Sequence, residues 1–467
     1  MINEKEYRGY WWLPEDPDNK VGGILNFSPK KRKINLQIFS ALKPKKKNFN
    51  PSIILGQTIQ GKNITLRNCV KGSFSMKFGD YVAMPVEYRA SEIFAGEHFY
   101  DVEIEIEKIR AGFPLLQKWS QITGVKHLTD FFEQHTMNSD SKDTFDLCYE
   151  IPESIEVELS DIIFELKIKP NTNLKRIGEV SIEEKAFIEI SSKEGSISFN
   201  DLIQKIYVFQ DFLKLATNKN LHPSWIQGSI NQSSKSKLNW IKIYFPFTSD
   251  LNIPDRLHPN NVNFMFKDIS DRFSSVISRW YEKAIELRPL FTSYFEIGHN
   301  ENLYQRNFFL TLVQAIESYY RSEYDNKYLP DDKFEEGYYD QLCKNIPEKL
   351  SGGFKDHLKK GPFLHANEYS LRKKLSKILE EHESIFSSLD KKISPEIKYI
   401  VGTRNYLIHH DESTKNVAMD RLPEFIEILE LIIQVILLRK IIRLSKDQII
   451  NRLNRQIDSR IIFTNND

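Results

Sequence analysis

Arg404-Asn405-Tyr406-Leu407-Ile408-His409-His410 ends an apolar run with one guanidinium, one carboxamide and two imidazoles. At about 100° per residue, a helix through this stretch sets Asn405 and His409 on one face, with Arg404 beside that face. One helix end then presents a phosphate clamp and a proton-transfer group together. A guanidinium is always charged and its planar fork matches two phosphate oxygens, while an imidazole both takes and gives a proton near neutral pH. The set suits phosphodiester chemistry. The alternative is a solvated helix end with no chemistry.

Upstream, Ser394-Pro395 reads as an N-cap and first-turn pair, with Glu396 near the positive end of the helix dipole. Ile397, Ile400, Val401, Leu407 and Ile408 supply an apolar stripe, so the spacing predicts a helix over 395–409. A second helix is predicted over 308–321, carried by Phe309, Leu312, Val313, Ile316 and Tyr320, with Glu317 and Arg321 one turn apart. An ordinary i,i+4 salt bridge is one account of that pair. Further helices are predicted over 269–287, 371–381 and 422 to about 444; residues 324–334 and 350–365 read as polar or glycine-containing connections.

Before about residue 265 the period is two. Lys33 to Phe39, Asn63 to Leu66, Asp101 to Glu107, Ile155 to Leu159, Ile162 to Ile168 and Ile241 to Phe245 alternate apolar and polar residues, as half-buried antiparallel strands do. Ser28 to Lys33 and Gly79-Asp80 read as turns between strands, and a helix is predicted near 199–216. A sandwich or a strongly curved sheet is expected.

The Arg404-to-His409 spacing, with Asn405 after the arginine, resembles the R-x4-H motif of HEPN ribonucleases; His410 leaves an R-x5-H register open. HEPN-like proteins also place an acidic and a basic residue four apart on an early bundle helix, as Glu317 and Arg321 stand here. Ahead of this segment, the chain opens with Tyr7-Arg8-Gly9-Tyr10-Trp11-Trp12-Leu13-Pro14 and Gly22-Gly23-Ile24-Leu25. That layout is similar to the ApeA-type anti-phage proteins. Residue-level matches are confined to the aromatic opening and the Arg404–His410 motif.

The resemblance implies an α+β multidomain chain, with a β-rich, sandwich-like N-terminal region followed by an all-α HEPN-like helical bundle. The expected divisions are 1–145, a β-rich domain; 146–264, a second β-rich subdomain with a helix; and 265–467, the HEPN-like nuclease domain. It further implies a metal-independent endoribonuclease of abortive infection, with Arg404, Asn405 and His409 as its catalytic residues and a 2′,3′-cyclic phosphate product. RNA is the expected partner, with tRNA and mRNA both open. A second copy of the chain, which completes a two-motif site, and a phage-derived trigger are also expected; no cofactor or metal is. The rival reading is a non-catalytic dimerising module that senses a phage or nucleic-acid ligand. HEPN toxins controlled through a tyrosine two residues after the histidine have Asp411 at that place here, which speaks against that control.

Composition narrows the class. At 467 residues, 40% hydrophobic and 28% charged, the chain has the balance of a globular protein with two or three cores. The formal charge is +1, so any RNA contact must come from local patches. Cys69, Cys148 and Cys343 offer no disulfide framework and no C-x-x-C knuckle, which fits a reducing cytoplasm. Residues 1–6 lack a signal-peptide pattern. The most apolar stretch, Leu431 to Leu438, is far below the roughly 20 residues that span a bilayer, so no membrane partner is expected.

Other candidate chemistry is thin. His98, His127, His135, His222, His258, His299, His357, His365 and His382 show no metal-ligand spacing, and no phosphate-binding G-x-x-x-x-G-K loop is present. Gly352-Gly353 reads as a flexible turn, and Asp331-Asp332 and Glu335-Glu336 as solvated loop acids. Lys30 to Lys33 and Lys43 to Phe49 are basic strand-end patches, read first as charged hairpin tips and second as phosphate contacts. Lys355, His357, Lys359 and Lys360 form a third basic cluster inside the helical half. For Trp11 and Trp12, alternation predicts one buried and one exposed ring.

Overall fold

The computed structural model of the chain describes residues 4–40, 42, 50–72, 86–126, 148–174, 180–230, 239–246, 257–258, 261–296, 305–410 and 413–464. Residues 43–49, the turn at 79–80, Asp411, His127, His135 and His299 lie outside the described residues. The chain divides into two compact units, Met1–Ser278 and Arg279–Asp467.

In the first unit, fourteen strands among the described residues join into one antiparallel sheet. Ile155–Glu158 forms one edge, followed by Ile162–Leu174, Val180–Ser192, Lys108–Gly112, Trp225–Ile230, Asn239–Tyr244 and Glu92–Ala95. Asn63–Arg67, Ile53–Thr58, Lys5–Leu13, Asp16–Ser28, Lys33–Ile38, Val86–Arg89 and Val70–Lys71 complete it. Alternation is what the sheet exploits. Along Glu92–Ala95, Ile93 and Ala95 enter one apolar cluster with Leu25, Leu36 and Ile64, while Phe94 between them meets Phe199 on the other face at a ring distance of 5.0 Å.

That second face is covered by α1, Phe199–Thr217, whose N-cap Ser198 accepts from the Asn200 amide at 3.2 Å. Phe209 packs on Phe164 at 5.2 Å, and Phe212 on Trp119 at 5.7 Å. Each ring so buried contributes on the order of 1.5–3 kcal/mol by leaving water.

Two expectations for this half need correction. Trp11 and Trp12 are both buried, because alternation sends them to opposite faces and both faces are covered there: Trp11 joins Leu13 and Leu25 in one apolar cluster, Trp12 joins Ile53 and Leu55 in another, and Tyr10 is the exposed ring. Trp11 fits against Gly56, its cross-strand neighbour, where a Cβ would come within 2.3 Å of the indole. Of the strand expected over 101–107, only Glu105–Ile106 pairs, with Ile197–Ser198. The partner strand stops there because Ser198 turns directly into α1.

The second unit is helical. We label α2 (Gln305–Glu323), α3 (Leu371–Glu381), α4 (Ile397–His409) and α5 (Leu422–Ile436). α5 is apolar nearly all round and packs on α2 with Phe425 6.5 Å from Phe309, while α2 also touches α3 and α4. The helix expected to about 444 changes to a π-turn over Leu437–Ile441 and ends as Arg443 adopts a left-handed φ of 59°. No helix among the described residues is long and apolar enough to cross a membrane.

The connections expected over 324–334 and 350–365 contain short helical turns, Asp331–Lys333, Phe334–Tyr339, Gly352–Leu358 and Lys359–Phe363. Gly352 and Gly353 stand in a first turn, capped by the Ser351 hydroxyl, where the backbone amides have no intrahelical partner to lose. Ser394 makes no cap: Ser394–Glu396 is a 3-10 turn, and Glu396 instead accepts from Arg421 at 2.6 Å.

Candidate functional site

α4 places the motif, but its buried stripe differs from the one the sequence suggests. Ile397, Ile400, Gly402, Thr403 and Leu407 are buried, while Val401 is half-buried and Ile408 is exposed. The cause is the segment after the helix, which crosses α4 rather than leaving it: the Thr403 hydroxyl accepts from the Ala418 amide at 3.2 Å. A Cβ on Gly402 would stand 2.5 Å from the carbonyl oxygens of Lys415 and Asn416. In an exposed helix, Gly→Ala stabilises by about 1 kcal/mol. Here Gly402→Ala is expected to reverse that sign and destabilise by about 1–3 kcal/mol, through overpacking against backbone that has nowhere to move. Thermal melting checks it.

The next turn of α4 carries polar groups. Arg404 donates through Nη1 to Asn405 Oδ1 at 3.1 Å and through Nη2 to Glu317 Oε2, on α2, at 3.4 Å. The second oxygen of Glu317 faces Lys374 of α3, whose Nζ lies 3.9 Å away and is almost wholly buried. Three helices therefore each contribute one charge to a short relay, Lys374, Glu317 and Arg404. Burial pulls the Lys374 ammonium below the usual lysine range; Glu317 and Glu368 oppose that shift, and Arg321 and Arg404 add to it. Glu368 is held below the usual carboxylate range first by its hydrogen bond to His365, at 2.9 Å.

His409 is the last residue of α4 and is exposed. Among the described residues it makes no hydrogen bond, so both ring nitrogens face water or a ligand. His410 follows in a left-handed conformation, φ 49°, donating its amide to the Tyr406 carbonyl at 2.7 Å, with its ring 6.2 Å from the Tyr406 ring. The C-cap conformation turns His410 out of the helical register that joins Arg404, Asn405 and His409.

Glu317 and Arg321 do not pair. The Glu317 carboxylate turns to Arg404 and Lys374, and Arg321 acts on Lys374 and Glu368 only through space. The sequence reading missed Lys374. Its signal was present, because Lys374 interrupts the stripe of Leu371, Leu375, Ile378 and Leu379, and a lysine on a buried face needs a charge partner. Lys355, His357, Lys359 and Lys360 lie on the Gly352–Leu358 helix and the turn after it, and no described contact brings them to Arg404. Lys30 to Lys33 form an exposed hairpin tip with Arg32 at φ 51°.

Family comparison bears on both units. A model described as ApeA N-terminal domain 1 matches residues 6–280, and one described as Apea-like HEPN matches residues 310–448. The chain is an ApeA-type HEPN protein. The HEPN match contains most of α2 and all of α3, α4 and α5, and with them Glu317, Lys374 and Arg404. No curated protein and no solved structure matches the chain significantly. HEPN domains are commonly ribonucleases that bind RNA and dimerise, and ApeA-type proteins belong to anti-phage defence.

Proposed function

We propose that the chain is a metal-independent endoribonuclease of anti-phage defence, acting by abortive infection in the cytoplasm, and that Arg404, Asn405 and His409 are its catalytic residues. The observation that carries the reading is a guanidinium held by Glu317 and Asn405 just over one helical turn from an exposed imidazole with no partner among the described residues. His409 takes the proton of a ribose 2′-hydroxyl; the 2′-oxygen attacks the adjacent phosphorus, and Arg404 meets the charge that grows on the phosphoryl oxygens. The bond to the 5′-oxygen breaks, and that oxygen takes up a proton as it leaves. The products are a 2′,3′-cyclic phosphate and a 5′-hydroxyl. Positioned proton transfer contributes about 10²–10⁴-fold and a fixed cationic clamp a similar factor. DNA, without the 2′-hydroxyl, is not cut.

Purified protein incubated with total RNA in EDTA tests this: fragments ending in a cyclic phosphate are expected. Intact RNA, or cleavage that needs an added divalent ion, would falsify the mechanism.

A second copy of the chain is expected to complete the site, since one motif supplies a single imidazole on the face of Arg404 and Asn405 while the reaction moves protons at two oxygens. Light scattering on active protein should give at least a dimer. A monomer with undiminished cleavage at micromolar concentration contradicts the shared site.

A further inference from the structure

Three lysines of the N-terminal unit gather with no ion pair among the described residues. Lys5 begins the strand Lys5–Leu13, Lys62 stands in the turn before Asn63–Arg67, and Lys242 lies within Asn239–Tyr244. They meet around two tyrosines. Lys5 Nζ is 5.4 Å from the centre of the Tyr244 ring and Lys62 Nζ is 5.9 Å from that of Tyr7, two residues along the strand from Lys5. Burial draws the half-buried Lys62 below the usual lysine range, and Lys242 and Lys5 add their repulsion while Tyr244 opposes. Among the described residues none of the three lysines has an ion-pair partner.

Uncompensated like charges over a buried and a half-buried tyrosine, Tyr244 and Tyr7, cost stability in the free protein, and an anion seated among them relieves that cost. The same sheet face continues the pattern. In the strand register Lys242 stands opposite Gln227, and Gln227 opposite Arg110. Arg110 donates to Gln227 at 2.8 Å, and its guanidinium lies 3.7 Å from the centre of the Trp240 ring. The adjacent carboxylate, Glu189, is taken up by Lys167 at 2.9 Å and Lys108 at 3.9 Å. Cations beside a half-exposed indole are what a phosphate with an attached base requires.

We propose that this face binds a nucleotide group, its phosphate among Lys5, Lys62 and Lys242 and its base on the side of the Arg110–Trp240 pair. The ligand is either a free nucleotide or the end of an RNA strand. This site lies wholly in the N-terminal unit and does not depend on the nuclease reading.

The test uses the full chain carrying Arg404→Ala and His409→Ala, so that no probe is cut. Inorganic phosphate, adenosine triphosphate and a single-stranded RNA 12-mer are titrated by calorimetry. The same titrations are run with Lys62→Gln and Lys242→Gln added together, and with Trp240→Ala added alone. The paired lysine change should weaken the bound probe at least tenfold while the free protein melts no lower than before; for RNA the salt slope should fall by about 1.4, at about 0.7 per contact. Trp240→Ala should weaken the nucleotide and the RNA but not inorganic phosphate. Tighter binding of the triphosphate than of RNA identifies a free nucleotide as the ligand, and the reverse order identifies a strand. Failure of all three probes to bind, or equal affinity with and without the two lysines, overturns the proposal. A nucleotide bound no more tightly than inorganic phosphate overturns the base-binding part.

Discussion

His409→Ala is expected to lower RNA cleavage in EDTA by about 10²–10⁴-fold, the share that a positioned imidazole contributes to proton transfer. Its melting temperature should hardly change, because the side chain is exposed and leaves no cavity. Arg404→Lys should come close to it in effect. The ammonium keeps the charge but cannot donate at once to Asn405, to Glu317 and to a phosphate in the plane of a fork. Asn405→Ala should fall between the two and wild type, since it removes the group that fixes one guanidinium nitrogen and leaves the charge. Ile400→Ala supplies the contrast: fully buried, it should cost about 2–5 kcal/mol of stability while the remaining folded protein still cuts. His410→Ala decides the register. If it abolishes cleavage and His409→Ala does not, the base is one residue further on, beyond the helical face that carries Arg404. Full cleavage by His409→Ala, His410→Ala and Arg404→Ala alike would leave the non-catalytic binding module as the reading.

What the sequence showed well was what depends on periodicity. α3 was legible to the residue because Ser370 caps it and Leu371, Leu375, Ile378 and Leu379 mark one face. α1 and the strands around 33–38, 63–67 and 155–158 were legible for the same reason. Features that depend on a neighbour were not. The burial of both Trp11 and Trp12 depends on cover over both faces of the strand, the length of the 101–107 strand depends on where its partner stops, and the end of α5 depends on a π-turn with no residue signature. At the site, Arg404, Asn405 and His409 could be placed from spacing alone. The direction of Glu317 could not, because Arg321 at one turn and Arg404 on another helix are equally good partners until the helices are packed. The Lys5, Lys62 and Lys242 group was invisible for a stronger reason: its members are separated by most of the N-terminal unit and meet only through strand order.

The packing of Glu317 leads to a second large expected loss of stability. Glu317→Ala removes the acceptor that Lys374 and Arg404 share, and leaves Lys374, 2% exposed, facing Arg404 and Arg321 with only Glu368 opposing. Breaking a buried ion pair from one side costs about 3–5 kcal/mol. Because Glu317 keeps some contact with solvent, the low end of that range is expected, and for a unit of this size that is roughly 6–12 °C in melting temperature. Lys374→Met should behave differently. It removes the buried cation, fills its volume with an apolar chain of similar length, and leaves Glu317 its hydrogen bond from Arg404, so stability should change by less than about 1.5 kcal/mol. Combining the two should recover most of what Glu317→Ala loses, since no buried charge is then stranded. Cleavage should not recover with it: without Glu317 the Arg404 fork is held by Asn405 alone. A double variant that regains its melting temperature but not its activity separates the two jobs of Glu317, neutralising Lys374 and aiming Arg404. If Glu317→Ala melts within a degree of wild type, the three-helix relay contributes nothing to the fold and the Lys374 assignment is wrong.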